Sequence, residues 1–279
     1  MILPLRPETP VEAAMNDTLK RWMDTGSEIN ERAASAAINA FDWLFRKESL
    51  VKSGQTPHVV IHEGDPMSVR YYDLDDDEIT LSDDTVMRVR RRKHAIPLVL
   101  VPPLGVTTET FDLMPSRSLV RYMAARGFKT YLICWGTPER RHASLGMRDY
   151  ADRMMGEALA AVRAHSGARE LSLMGWCMGG LLTLIHAGLP DTRGIRAIVT
   201  VASPIDMRGG GLIAGVSRII NTPAKFIGRY TDFRLNRLNP QAFHAPGWVT
   251  ALAFKFTDPI GSVTTYWDLL VNLWDREFV

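Results

Sequence analysis

Leu171-Ser172-Leu173-Met174-Gly175-Trp176-Cys177-Met178-Gly179-Gly180 is followed directly by Leu181-Leu182-Thr183-Leu184-Ile185-His186-Ala187. The apolar run from Leu171 to Met174 predicts a buried strand, and the Leu-rich segment after Gly180 predicts a helix. Between them lies a sharp turn with Cys177 at its apex. A side chain at such a bend stands clear of the sheet, where a substrate can reach it. Gly175 and Gly179 flank it because a Cβ at either place would press on the neighbouring strand or helix. The helix points its N-terminus at Cys177, and that partial positive charge favours a thiolate there. The backbone N–H of Met178 is left free to face a developing oxyanion. A buried, inert cysteine in a glycine-rich turn is the plainer alternative.

Outward from this stretch, strands and helices alternate. Pro97 to Pro102 predicts a buried parallel strand, and Arg117 to Arg126 a helix closed by Gly127. Phe128 to Cys134 predicts the next strand, and Met147 to His165 a helix. Gly194 to Ala202 predicts another strand, ending at Ser203-Pro204-Ile205-Asp206. Before the first of these, His58–His62 and Met67–Asp73 read as a hairpin around Glu63-Gly64-Asp65-Pro66. Asp73 to Asp84 reads as an acidic solvated loop, with the basic run Arg88 to Lys93 as a second-choice partner for it. Residues 1–55 are expected to form a helical extension, residues 56–206 the α/β core, and residues 207–279 a cap. In the cap the strand–helix rhythm stops and glycine, proline, arginine and aromatic residues accumulate.

The chain has 279 residues, 46% hydrophobic and 23% charged, enough for one large α/β domain. A formal net charge of +2 gives no case for nucleic acid. Two cysteines, Cys134 and Cys177, make no disulfide framework or metal-ligand spacing and suit a reducing compartment. No metal or cofactor is expected. No apolar run is long enough to span a bilayer, and the start of the chain has no signal-peptide pattern.

Strand, glycine-flanked nucleophile and helix, set in a mainly parallel sheet, make the nucleophile elbow of α/β-hydrolases, with cysteine in place of serine. The expected fold class is therefore an α/β-hydrolase with a cap inserted after the sixth strand. In that fold the loop after the Pro97–Pro102 strand supplies a second oxyanion donor. Prolines 102 and 103 have no N–H, so Leu104 or Gly105 is the candidate. A thiol nucleophile works with a histidine base oriented by a carboxylate, in the chain order nucleophile, acid, histidine. His58, His62, His94, His142 and His165 precede Cys177, and His186 lies about 13 Å down the elbow helix. Only His244 follows an acidic candidate, Asp206, and it sits within the expected cap. The reading is that two final strands, carrying acid and histidine, are missing and that the chain is a fragment or truncated product.

Gly175-Trp176-Cys177-Met178-Gly179 resembles the cysteine lipase box of polyhydroxyalkanoate synthases. The resemblance extends to Val101-Pro102-Pro103-Leu104, Ile133 to Glu139, Asp149-Tyr150 and Val199 to Asp206, and covers roughly residues 56–279. It is closest to the compact catalytic subunits of two-component synthases. It implies a cytoplasmic, granule-associated acyltransferase that polymerises (R)-3-hydroxyacyl-CoA onto a growing polyester and works as a homodimer or with a second synthase subunit. Cys177 would be the nucleophile, and Met178 and Leu104 the oxyanion donors. The alternatives are a cysteine-dependent thioesterase or esterase, and an inactive synthase paralogue serving as a partner subunit.

Overall fold

The computed structural model describes residues 30–43, 45–46, 53–206 and 259–275. The chain divides into two units, one of residues 1–51 with 254–279 and one of residues 52–253. Among its described residues the smaller unit has a helix over 30–43, α1.

The larger unit is built on six strands. These are β1 (His58–Glu63), β2 (Ser68–Tyr72), β5 (Leu98–Val101), β6 (Thr130–Cys134), β7 (Leu171–Trp176) and β8 (Ile195–Val201). They are arranged β1-β2-β6-β5-β7-β8. The pairs β1·β2 and β2·β6 are antiparallel, while β6·β5, β5·β7 and β7·β8 are parallel. The expected hairpin is present and opens the sheet. A second small sheet, β3 (Glu78–Thr80) with β4 (Val86–Arg88), occupies the stretch expected to be a solvated acidic loop.

That difference has a physical reason. Ile79 and Val89 are buried against Leu74, Ala124 and Ala125, so the acidic segment folds around its own apolar residues. The basic run then pairs with it: Arg91 to Asp77 at 2.6 Å, Lys93 to Asp73 at 2.6 Å, and Arg88 to Glu78 at 3.7 Å. Arg121 reaches Asp76 at 2.9 Å. Charge pairing, the second choice from sequence, is what forms.

The inner parallel strands are covered on both faces, as such strands must be, while the edge strand β8 has no fully buried residue. In β5, Val99 and Val101 face one core with Leu171, Leu173, Leu159, Val162 and Leu182. Leu98 and Leu100 face the other with Val120, Phe111 and Leu132. Helix α2 (Leu119–Ala125) covers the second face. Helices α3 (Met155–Ser166) and α4 (Met178–Ala187) cover the first. Ser118 caps α2 by accepting the Arg121 N–H at 3.1 Å, and Gly127 follows its end at φ +90°. The helix expected from Met147 does not run as one regular element. Asp149–Met154 is a π-helical turn feeding α3.

The entry to β1 is held by a buried carboxylate. Asp112 accepts the Thr56 N–H at 2.9 Å and the Thr56 hydroxyl at 2.6 Å, and its own carbonyl accepts the Gly54 N–H at 2.7 Å. Asp112→Ala strands the buried Thr56 donors, so a loss of about 1–3 kcal/mol in unfolding free energy is expected. Urea denaturation of the two proteins at equal pH measures it, and Asp112→Asn should recover part.

In the smaller unit α5 (Pro259–Val271) accompanies α1. The Asn39 side-chain amide donates to the Leu273 carbonyl at 2.9 Å, and the Arg32 guanidinium lies 4.8 Å over the Trp274 ring. The part of the expected cap between residues 207 and 258 lies outside the described residues.

Candidate active site

Cys177 sits between β7 and α4 at φ 51° and ψ −121°, a region L-residues rarely occupy. Such a backbone costs about 1–3 kcal/mol and persists only where its surroundings impose it. Here they do. The Cys177 N–H donates to the Val201 carbonyl at 2.8 Å, and the Cys177 carbonyl accepts the Gly180 N–H at 3.0 Å. The thiol is free and half-buried.

Three glycines around the bend have no room for a Cβ. A Cβ on Gly175 would lie 2.5 Å from both the Cα and the N of Gly180. One on Gly179 would run into the Val101 carbonyl oxygen and sit 2.7 Å from that of Pro102. One on Gly180 would collide with the Ser203 hydroxyl. The elbow is thus pressed against the strand ends on both sides. Gly180 has no place in the Gly-x-Cys-x-Gly pattern, and its constraint comes from a loop 23 residues away in sequence, which spacing does not reveal.

The parallel strands deliver their carboxyl ends to one edge, where ligands bind in open α/β sheets. Register pairs Val101 with Gly175, which sets the loop carrying Leu104 and Gly105 beside the elbow. Leu104 packs against the core, while Gly105 is exposed at φ +90° with open space around it. The Trp135 indole N–H donates to the Pro102 carbonyl at 2.8 Å and ties that loop to the end of β6. Trp176, 41% exposed, meets Phe111 edge-on at 6.0 Å and forms an aromatic wall next to Cys177. Ala202, just past β8, is at φ 50°, a second strained residue at this edge that no sequence signal marked. The Met178 N–H belongs to the first turn of α4, whose leading donors have no partner within the helix.

Among the described residues, His58, His94, His142, His165 and His186 are engaged with other partners. His165 Nδ1 pairs with the Tyr131 hydroxyl at 2.9 Å, His94 stacks on Phe128, and His58 Nδ1 pairs with the Thr56 carbonyl. His142 comes closest to a catalytic arrangement, because its Nε2 meets Asp65 at 2.9 Å and the loop that carries it follows β6. Its Nδ1 accepts the Glu139 N–H at 2.9 Å, so both nitrogens are committed and neither can take a proton from substrate. Among the described residues no side chain hydrogen-bonds the Cys177 sulfur. Asp206 is exposed beyond β8, and His244 lies outside the described residues.

His186, expected to point away from the elbow, is buried with Nδ1 2.8 Å from the Ala151 carbonyl. The π-turn is what presents that carbonyl. Burial pushes the His186 ring below its ordinary range, against the opposing pull of this hydrogen bond. A histidine held neutral in the fold binds its proton more readily once unfolded. Its contribution is therefore complete above about pH 6.5 and declines as the pH falls below that value. Wild type should lose melting temperature on going from neutral to mildly acidic buffer, and His186→Asn, which keeps the donor to Ala151, should lose less. Equal losses in the two proteins would contradict the assignment.

Strand order, carboxyl-edge loops and a strained strand-to-helix turn together define an α/β-hydrolase fold, with Cys177 at the apex of that turn. Within that class the chain is similar to poly(3-hydroxyalkanoate) polymerases. It is 27% identical over 276 residues to the polymerase subunit PhaC of Haloarcula marismortui, covering 98% of this chain and 53% of that one. The PhaC subunit of Haloferax mediterranei is 26% identical over 275 residues, 97% of this chain and 49% of the other. Poly(3-hydroxyalkanoate) polymerase 2 of Ectopseudomonas oleovorans is 40% identical over 180 residues, 63% of this chain and 30% of that one. The chain thus spans about half the length of the curated relatives it matches. No family model matches it. Among solved structures, the proline iminopeptidase of Mycobacterium smegmatis is 16% identical with a TM-score of 0.35, covering 58% of this chain and 49% of that one. No helix among the described residues is long and apolar enough to cross a membrane.

Proposed function

We propose that this chain carries the acylation chemistry of a polyhydroxyalkanoate polymerase, with Cys177 as the nucleophile. The observation that carries the proposal is the strained, half-buried free thiol at the head of α4, which no side chain among the described residues hydrogen-bonds, in a chain similar to polymerases along nearly its whole length. The Cys177 thiolate attacks the thioester carbonyl of an (R)-3-hydroxyacyl-CoA. A tetrahedral oxyanion forms, the bond to the CoA sulfur breaks, and CoA leaves as its thiolate. The acyl group then rests on Cys177 as a thioester. Exchange between two thiols is close to energetically neutral, which suits cysteine better than serine. The Met178 N–H and an N–H from the Leu104–Gly105 loop meet the oxyanion, and Gly175 and Gly179 hold the elbow closed enough for both to converge.

Chain growth is the second half. The hydroxyl of another acyl unit must lose its proton as it attacks the Cys177 thioester, and that step requires a base. The first half requires none beyond the thiolate. The proposal extends to residues 1–55, 56–206 and 207–279 as extension, core and cap, and to a homodimer or a second synthase subunit at polymer granules in the cytoplasm. The test is release of CoA from (R)-3-hydroxybutyryl-CoA together with formation of insoluble polyester. Free hydroxy acid as the sole product would instead identify a thioesterase.

The aromatic wall makes a narrower prediction. Trp176→Ala opens the side of the site facing Phe111, so KM for the acyl-CoA should rise by about ten-fold, roughly one lost apolar contact surface. Initial rates of CoA release across substrate concentration measure it.

A further inference from the structure

A groove of about 410 Å³ lies at the far end of α4 from Cys177 and includes no residue of the elbow. Its walls are the outward side of the π-turn and α3 (Arg148, Asp152, Gly156, Arg163) and the turn after α4 (His186, Leu189 to Arg193). The volume is that of a small-molecule site. We infer that this groove is a binding site for a small phosphate ester of about mononucleotide size, separate from the acyl-transfer centre.

Three observations converge on it. Arg163 is half-buried, and its guanidinium donates to main-chain carbonyls, Nη2 to Arg193 at 2.7 Å and Nε to Arg169 at 3.4 Å. Among the described residues neither Arg163 nor Arg193 has a carboxylate within ion-pair distance. A partly buried cation without a counter-ion is stabilised by an anion that enters beside it. Burial also presses the Arg163 guanidinium below its ordinary range, the direction an anion would reverse. Arg148 adds a third guanidinium, loosely engaged with Asp152 at 3.9 Å, and arginine forks suit phosphate oxygens. Asp191 is the remaining carboxylate in the lining.

The second observation is Gly156. It lies inside α3, where glycine is the poorest residue short of proline, and a Cβ built on it meets nothing within 4 Å. Packing does not explain it. An open helix floor that lets a ligand approach the backbone does. The third is the order of the turn. Thr192 donates its hydroxyl to the His186 carbonyl at 2.7 Å, the Leu189 N–H donates to the same carbonyl, and the Thr192 N–H donates to Leu189. The wall is therefore set before a ligand arrives, with Leu189 and Pro190 offering apolar surface to the ligand body and the arginines meeting its phosphate.

The probes are ADP and inorganic phosphate, titrated into the isotopically labelled chain and followed by amide shifts of Gly156 and Thr192. ADP should move both, with phosphate binding more weakly at the same place. Arg193→Glu, an exposed change, should weaken ADP by at least about ten-fold. Gly156→Trp should block the groove from a position where a Cβ meets nothing within 4 Å, and thermal melts show whether each variant is folded. Should Gly156→Trp fail to fold, Arg193→Glu decides alone. No shift at about 10 mM ADP, beyond the millimolar affinity of even a weak site, overturns the inference. So does unchanged affinity in folded Arg193→Glu. The readout is binding, so it stands or falls independently of acylation at Cys177.

Discussion

Replacing Cys177 with alanine will abolish acylation by (R)-3-hydroxybutyryl-CoA, with a loss of about 10³-fold or more in CoA release, the scale on which removal of a covalent nucleophile acts. The size follows from the division of labour at the elbow. In the proposed mechanism the Met178 N–H and its counterpart on the Leu104–Gly105 loop would stabilise charge that develops only after the sulfur attacks, so without the sulfur they would have no oxyanion to meet. The overall fold should be untouched, because the positive φ at residue 177 is imposed by the hydrogen bonds to Val201 and from Gly180, which alanine keeps. Circular dichroism and thermal melts of Cys177→Ala should therefore match wild type to within about 1 kcal/mol, a surface-scale change. Cys177→Ser separates nucleophile from shape. It preserves the geometry but presents a hydroxyl that is scarcely ionised, so CoA release should stay close to that of the alanine variant.

The second large effect is structural. Gly179→Ala places a methyl against the carbonyl oxygens of Val101 and Pro102, main-chain atoms at the end of the most buried strand of the sheet. No flexible side chain is there to yield. A destabilisation of about 3 kcal/mol or more is expected, at the upper end of overpacking, together with loss of the elbow angle. The control is a glycine in the neighbouring helix. Gly156→Ala meets no atom within 4 Å and should stabilise the chain by about 0.5–1 kcal/mol through helix propensity. Urea denaturation of both variants checks the contrast. Comparable behaviour of the two substitutions would mean that the elbow is not packed as described.

The strand–turn–helix was legible because its signal is local: apolar run, glycine, cysteine, glycine and helix formers fall within seventeen consecutive residues, Leu171 to Ala187. The alternating α/β order was legible for the same reason, since each strand or helix carries its own periodicity. What sequence could not supply depends on partners far along the chain. Gly180 is constrained by Ser203, the β3–β4 hairpin exists because Ile79 and Val89 find Ala124 and Ala125, and the π-turn at Asp149–Met154 accompanies the bond between His186 and Ala151. Helical periodicity read from composition does not distinguish a π-turn from an α-turn. The Arg163 groove was illegible for a related reason: Arg148, Arg163 and Arg193 come from three separate places in sequence and look like ordinary surface charge until α3 and the turn after α4 bring them together.

The account rests on a thioester forming at one sulfur, and that can be measured without turnover and without a base for chain growth. The chain is mixed with (R)-3-hydroxybutyryl-CoA, quenched in acid, and its intact mass and peptide masses are recorded. The prediction is a gain of one 3-hydroxybutyryl group on the peptide containing Cys177, with one equivalent of CoA released, removal by neutral hydroxylamine, and no gain in Cys177→Ala. An unmodified Cys177 peptide in folded wild type, or the same adduct persisting in Cys177→Ala, contradicts it.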